Sequence, residues 1–315
     1  MRKIIKNLRI YRLIAWILAI TMLAGYVPQG VHLKSFNSLK DMGKVQAETT
    51  LQNPRIVKDS SMDAGQKVTW DCVWFGSYPQ SEVTAEDGAI YTKLKKKAEW
   101  NNNNTVIEGT KYRRLKGEDA TRATFDEEGF YDWNGSYTTY HYFKYEPIKW
   151  RVLNTDGKEA FLLADVALDD QKYNTDFINV TWETCSMRKW LNKQFINTAF
   201  SLGEKNAIPV KRIINKDNIR YGTKGGENTS DKVFLLSESE VYTELAKKYG
   251  FVSESTIYDE ARMCKYSTYS WAMGINKVDT NVAWWLRSTS SYNYSPYIAH
   301  AVENNGSVVG GGSGY

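Results

Sequence analysis

Between Pro147 and Asp165 the chain spells out an antiparallel hairpin. Ile148, Trp150 and Val152 alternate with Lys149 and Arg151, Asp156 and Gly157 form a two-residue turn signal, and Ala160 to Ala164 returns as an apolar strand. Alternation with a period of two puts the apolar residues on one face of a strand. An Asp-Gly pair accepts the positive φ angles that a tight hairpin demands. This stretch must therefore be sheet, and the remaining chain has to cover its apolar face. Upstream, Val68, Trp70, Cys72 and Trp74 alternate with Thr69, Asp71 and Val73 before Gly76, Ser77, Tyr78 and Pro79, which predicts a second strand and its exit turn.

Helical spacing follows. Thr184 is the predicted cap of a helix bearing Met187, Trp190, Leu191, Phe195 and Ala199, with Gly203 near its end. A second helix opens on a capping box of Ser237 and Glu240, runs through Val241, Leu245 and Tyr249, and stops at Gly250. Val233 to Leu236 reads as a buried strand between them. The closing segment reads as strand, turn, strand: Ala283 to Ser288, Tyr297 to Glu303, an Asn305-Gly306 hairpin signal, then Ser307 to Gly310. Strands at both ends enclosing two main helices predict an α+β domain with a mixed sheet, closed if the terminal strands meet in one sheet. Residues 86–145 hold the Asn101–Asn104 tract, several glycines and aperiodic aromatics, and are expected to be a long inserted loop or hairpin pair on the surface.

The first residues predict export. Arg2, Lys3, Lys6, Arg9 and Arg12 precede an apolar run from Leu13 to Ala24, the layout of a secretory leader and too short for a comfortable membrane span. Val45-Gln46-Ala47 offers the favoured cleavage site, so residues 1–47 are assigned as leader, 48–66 as linker and 67–315 as one domain; an uncleaved leader would act as a membrane anchor. Residues 1–47 carry eight Lys and Arg against Asp41, a balance of +7, so the whole-chain +5 leaves about −2 for the rest. That balance leaves no basic stripe for nucleic acid. Cys72, Cys185 and Cys264 are far apart without metal-type spacing, and His141 and His300 are the only histidines beyond the leader. Ordinary burial of the cysteines, no metal site and no cofactor are expected.

Four ordered motifs carry a resemblance: Phe75-Gly-Ser-Tyr-Pro-Gln80, Ile148-Lys-Trp-Arg-Val-Leu153, Ser186-Met-Arg-Lys-Trp-Leu-Asn192 and Trp285-Leu-Arg-Ser288. Together they resemble an uncharacterised domain family common in exported proteins of gut-dwelling Gram-positive bacteria. That family is in turn distantly similar to the C-type-lectin-like fold of the formylglycine-generating type, which also carries the hypervariable receptors diversified by retroelements. The resemblance implies a C-type-lectin-like sheet with exposed ligand-contacting loops. Where the family ends on a strand reading Arg-Pro-Ala-Leu or similar, this chain reads Gly310-Gly-Gly-Ser-Gly-Tyr315, so either the sequence is truncated or the sheet closes differently.

The candidate binding residues cluster near the end: Trp285, Arg287, Tyr292, Asn293, Tyr294 and Tyr297. Rigid aromatic rings with adaptable Asn, Ser and Gly neighbours suit recognition more than catalysis. For Trp284 and Trp285, on opposite faces of a strand, core packing of at least one competes with ligand contact, and for Arg287 an internal salt bridge is the stronger expectation. Trp150, Trp182 and Trp190 are assigned to the core. Asp165, Asp169, Asp170 and Asp176 form an acidic loop group that departs from the spacing of a twelve-residue calcium loop. The expected function is an exported, cell-surface or secreted, non-catalytic module that recognises an extracellular glycan or protein through its C-terminal aromatic loop. The alternatives are an exported enzyme acting on cell-wall or host glycans and a passive envelope scaffold.

Overall fold

The computed structural model describes residues 53–125, 127–156, 158–277, 280–290 and 299–309, all within the compact unit Thr50–Tyr315. It is a mixed α/β protein with several small sheets and few helices. The strands, in chain order, are β1 (Arg55–Lys58), β2 (Gln66–Thr69), β3 (Cys72–Val83), β4 (Asn104–Ile107), β5 (Thr110–Leu115), β6 (His141–Thr155), β7 (Ala160–Ala164) and β8 (Val166–Ala167), then β9 (Lys211–Ile213), β10 (Thr229–Asp231), β11 (Lys265–Tyr266), β12 (Trp284–Trp285), β13 (Ala301–Val302) and β14 (Val308–Val309).

The predicted hairpin is the spine. β6 pairs with β3 along one edge; along the other, its first residues pair with β5 and its last with β7. Ile148 and Val152 are fully buried, and Trp150 packs on the same core with its Nε1 donating to the Phe75 carbonyl at 2.7 Å. Pro147 and Pro79 have no amide hydrogen to give to the ladder. The β3–β6 register accordingly slips beside both, between Trp74 and Ser77 and between Pro79 and Ser81. Gly76 lies in the first irregularity at φ 72°, where a Cβ would sit 2.5 Å from the Phe200 ring, so only glycine lets the sheet approach the helix that ends at Ala199.

That helix runs on from Ser186–Trp190 through a π turn, Leu191–Phe195, to Ile196–Ala199. Its cap is Cys185 rather than the expected Thr184, the thiol accepting from the Arg188 amide at 3.4 Å; Thr184 instead bonds back to Thr181. Met187, Leu191, Phe195 and Ala199 are buried as their spacing requires, Trp190 is half-buried, and Trp182 is fully buried. The Ser237–Glu240 capping box forms, but the helix it opens, Glu238–Tyr242, breaks at Thr243 and resumes as a 3-10 turn, Ala246–Tyr249, closed by Gly250 at φ 95°.

Several expectations change. Residues 48–66 are not a plain linker, since β1 lies inside them and pairs with β2. Residues 86–145 are not a surface appendage. The β4–β5 hairpin does form, yet β5 joins the central sheet, and Tyr131 and Trp133 of the following segment enter the main core. Val233–Leu236 makes no ladder. Its polar groups go to the Asn192 side chain at Val233 and to the Arg287 amide at Leu236. The terminal strands do not share a sheet: β1–β2 stand as one pair and β12–β13–β14 as a three-stranded antiparallel sheet.

The closing hairpin turns at Gly306, φ 79°, where a Cβ would lie 2.1 Å from the Asp259 carbonyl oxygen. Strain at a positive φ costs about 1–3 kcal/mol. Gly306→Ala is expected to lower the unfolding free energy by at least that much, read as a lower chemical-denaturation midpoint at constant slope, and an unchanged midpoint would show the turn packs elsewhere.

Candidate functional site

An open cleft of about 1400 Å³ lies between the β4–β5 hairpin and the Ser186–Ala199 helical run. Tyr78 of β3, Arg113 of β5, Asp169 and Tyr269 are among its lining residues. The asparagine tract builds one wall. Asn102 and Asn103 hold positive φ angles of 47° and 60°, a conformation that asparagine tolerates better than most side chains. Asn101 and Asn104 exchange backbone hydrogen bonds at 2.8 Å across that turn. Asn104 accepts from the Tyr145 hydroxyl at 2.7 Å and Asn103 from Arg114 Nε at 3.0 Å, which ties the turn to the sheet. Gln194 and Asn197 come from the helix opposite.

The Tyr78 hydroxyl and Gln171 Nε2 both donate to the Asp169 carboxyl, the latter at 3.0 Å. Burial pushes Asp169 up to about 6, and burial together with the Asp169 charge pushes its neighbour Asp170 up to about 7. Burial opposes the charge on Arg113, but Tyr269, Tyr145, Tyr78 and Asp169 outweigh it and hold the pKa above the ordinary arginine value. Among the described residues Arg113 has no ion-pair partner, and its buried Nε has no hydrogen-bond partner.

A carboxyl whose folded pKa is raised takes up its proton more readily in the folded state. Stability from Asp169 and Asp170 is therefore present at low pH and lost as pH rises from about 4 through 6 to 7. The carboxylates held low, such as Asp165 between Arg151 and Lys149, act below that window. The melting temperature should rise as the pH is lowered from 7 to 5, and Asp169→Asn with Asp170→Asn should flatten that slope; an unchanged slope would place these carboxyls in water.

Of the residues singled out near the end of the chain, the two that are described, Trp285 and Arg287, lie apart from the cleft lining. Arg287 is buried and forms the internal salt bridge, with Nη1 2.6 Å from Glu240 Oε2 and 2.7 Å from the Leu235 carbonyl. Both contacts hold it inside the fold, so it is corrected from ligand contact to structural residue. Trp285 is half-buried, stands 5.8 Å from the Tyr173 ring and donates to the carbonyl of Gln171 at 3.2 Å. It packs on the larger core while Trp284, on the opposite face, packs on the second, and its link to the cleft is the support it gives Gln171. Tyr292, Asn293, Tyr294 and Tyr297 lie outside the described residues.

The acidic group does not assemble. Asp165 pairs with arginine and lysine, Asp169 with Tyr78, and among the described residues no three His, Cys, Asp or Glu side chains could hold a metal. Cys185 is buried, Cys72 and Cys264 are half-buried, and all three are free thiols. Arg113 and Lys111 had no signal of their own in the sequence. Tyr78, inside the Phe75–Gln80 motif, and the asparagine tract were the visible traces of the site.

Residues 157–314, half of the chain, match the family described as domain of unknown function (DUF6273). The chain belongs to the DUF6273 family. No curated protein and no solved structure matches it. The DUF6273 segment supplies Asp169, Gln171, the helical wall and Tyr269, while Tyr78 and the asparagine wall precede it. Among the described residues no helix is long and apolar enough to cross a membrane.

Proposed function

We propose that this chain is an exported, non-catalytic binding module that takes a glycan in the cleft between the asparagine turn and the helical wall. The observation that carries the reading is the lining: Trp100 and the buried rings of Tyr78 and Tyr269 border the cleft together with the amides of Asn102, Gln171 and Gln194. Sugars present apolar C–H faces and hydroxyl edges together, and rings plus amides answer both. The charged leader supports export, and the resemblance to C-type-lectin-like exported domains agrees with a ligand outside the cell.

The test is an oligosaccharide array probed with the wild-type protein, with Gln194→Trp, which fills the cleft from an exposed helical position, and with Tyr292→Ala/Tyr294→Ala. Binding lost in the first variant and kept in the second supports the cleft; the reverse pattern moves the site to the C-terminal loop. One observation favours an enzyme instead. Asp169 lines the cleft, accepts from Tyr78 and Gln171, and is pushed by burial up to about 6, toward the range a general acid needs. Cleavage of bound sugar by wild type, absent in Asp169→Asn, would transfer the assignment to hydrolysis.

A further inference from the structure

The charges in the cleft are unequal. Lys97, Lys111, Arg113 and Lys193 line it against Glu99 and Asp169. Among the described residues none of the four cations has an ion-pair partner. Arg113 is the deepest. Its guanidinium stands 5.9 Å from the centre of the Tyr269 ring, and Lys111 Nζ lies 3.9 Å above Tyr145. Asp169 supports the Arg113 charge from a distance beyond an ion pair, and its own carboxyl oxygens accept from Tyr78 and Gln171. Burying a cation away from water is costly unless an anion answers it, and an arginine fork matches the two oxygens of a carboxylate or sulfate.

Resting on the reading of the cleft as a glycan site, we propose that its ligand is an acidic glycan whose carboxylate or sulfate docks on Arg113, with Lys111 beside it. Rings and amides around that anchor hold the neutral faces of the neighbouring sugars. Lys193, exposed on the helical wall, and Lys97 add long-range attraction that salt screens.

The full chain without its leader is to be titrated with oligogalacturonate and oligoalginate as carboxylated probes, heparin oligosaccharides as sulfated ones, and cello- and xylo-oligosaccharides as neutral ones. An acidic probe is expected to bind, to weaken between low and high salt, and to lose at least about tenfold in affinity in Arg113→Gln. Lys193→Gln, a surface change that leaves the fold intact, is expected to reduce the salt dependence. The carboxylated and sulfated arms tell which anion the site takes. Neutral probes bound equally by wild type and Arg113→Gln would overturn the acidic assignment and leave the cleft reading standing. No probe bound, or binding that Gln194→Trp leaves intact, would end both.

Discussion

Replacing Arg262 with methionine is expected to destabilise the fold by about 3–5 kcal/mol, because it strips a buried ion of its partner. Arg262 is 1% exposed and Asp259 also 1%. The guanidinium donates to the carbonyls of Val241, Glu254 and Ile257 at 3.3, 3.0 and 2.8 Å, and its Nε lies 3.4 Å from Asp259 Oδ2. One side chain thus binds the Glu238–Tyr242 helix to the loop from Glu254 to Asp259, beneath which Gly306 turns the last hairpin. Methionine fills most of the volume and satisfies none of the carbonyls. The carboxylate of Asp259 would keep its hydrogen bonds from the amides of Val252 and Ala261 and lose its counter-charge. Denaturant titration should show a lower midpoint at constant slope, and adding Asp259→Asn should restore part of the loss because the two changes act on one pair. A loss below about 1 kcal/mol would mean that water reaches this pair.

Trp133→Ala is the second large effect, expected at about 3–5 kcal/mol. Trp133 is 1% exposed, with its ring 4.9 Å from Tyr131 and 5.2 Å from His141. Tyr131 in turn meets Trp271 at 5.2 Å, so the segment after β5 is built into the main core. An indole removed from such a site leaves a cavity that its rigid neighbours cannot fill. If residues 116–140 were only surface decoration, the same substitution would change stability by no more than about 0.5 kcal/mol. The urea midpoint separates the two cases.

This tryptophan also marks where reading from sequence stops. The pairing of β6 with β7, the capping box at Ser237, the helical spacing of Met187 to Ala199 and the turn at Gly306 all follow from local rules, and each forms. Trp133 obeys no local period. Its ring meets Tyr131 in the same turn-rich segment and His141 at the start of β6, and such packing leaves no periodic trace among aromatics spaced by turns. β1 was hidden for a related reason: every residue from Arg55 to Lys58 is exposed, so no alternation announces it, and only pairing with β2 makes it a strand. Neither of the described residues read from sequence as binding residues, Trp285 and Arg287, lines the cleft. Tyr78 sits in a motif that stands out but reads as a strand exit, and the asparagine tract reads only as part of an inserted loop or hairpin pair. Arg113 and Asp169, separated by 56 positions, meet only because β5 joins the central sheet. Arg287 was visible as the lone arginine of an aromatic tail, and its real partner, Glu240, belongs to the capping box 47 residues earlier.

Amide hydrogen exchange on the wild-type chain, with and without an acidic oligosaccharide that it retains, tests the cleft most directly. Protection is predicted to concentrate in residues 97–113 and 190–198, the two walls. Protection confined to 286–302, with both walls exchanging as in the free protein, would contradict the account.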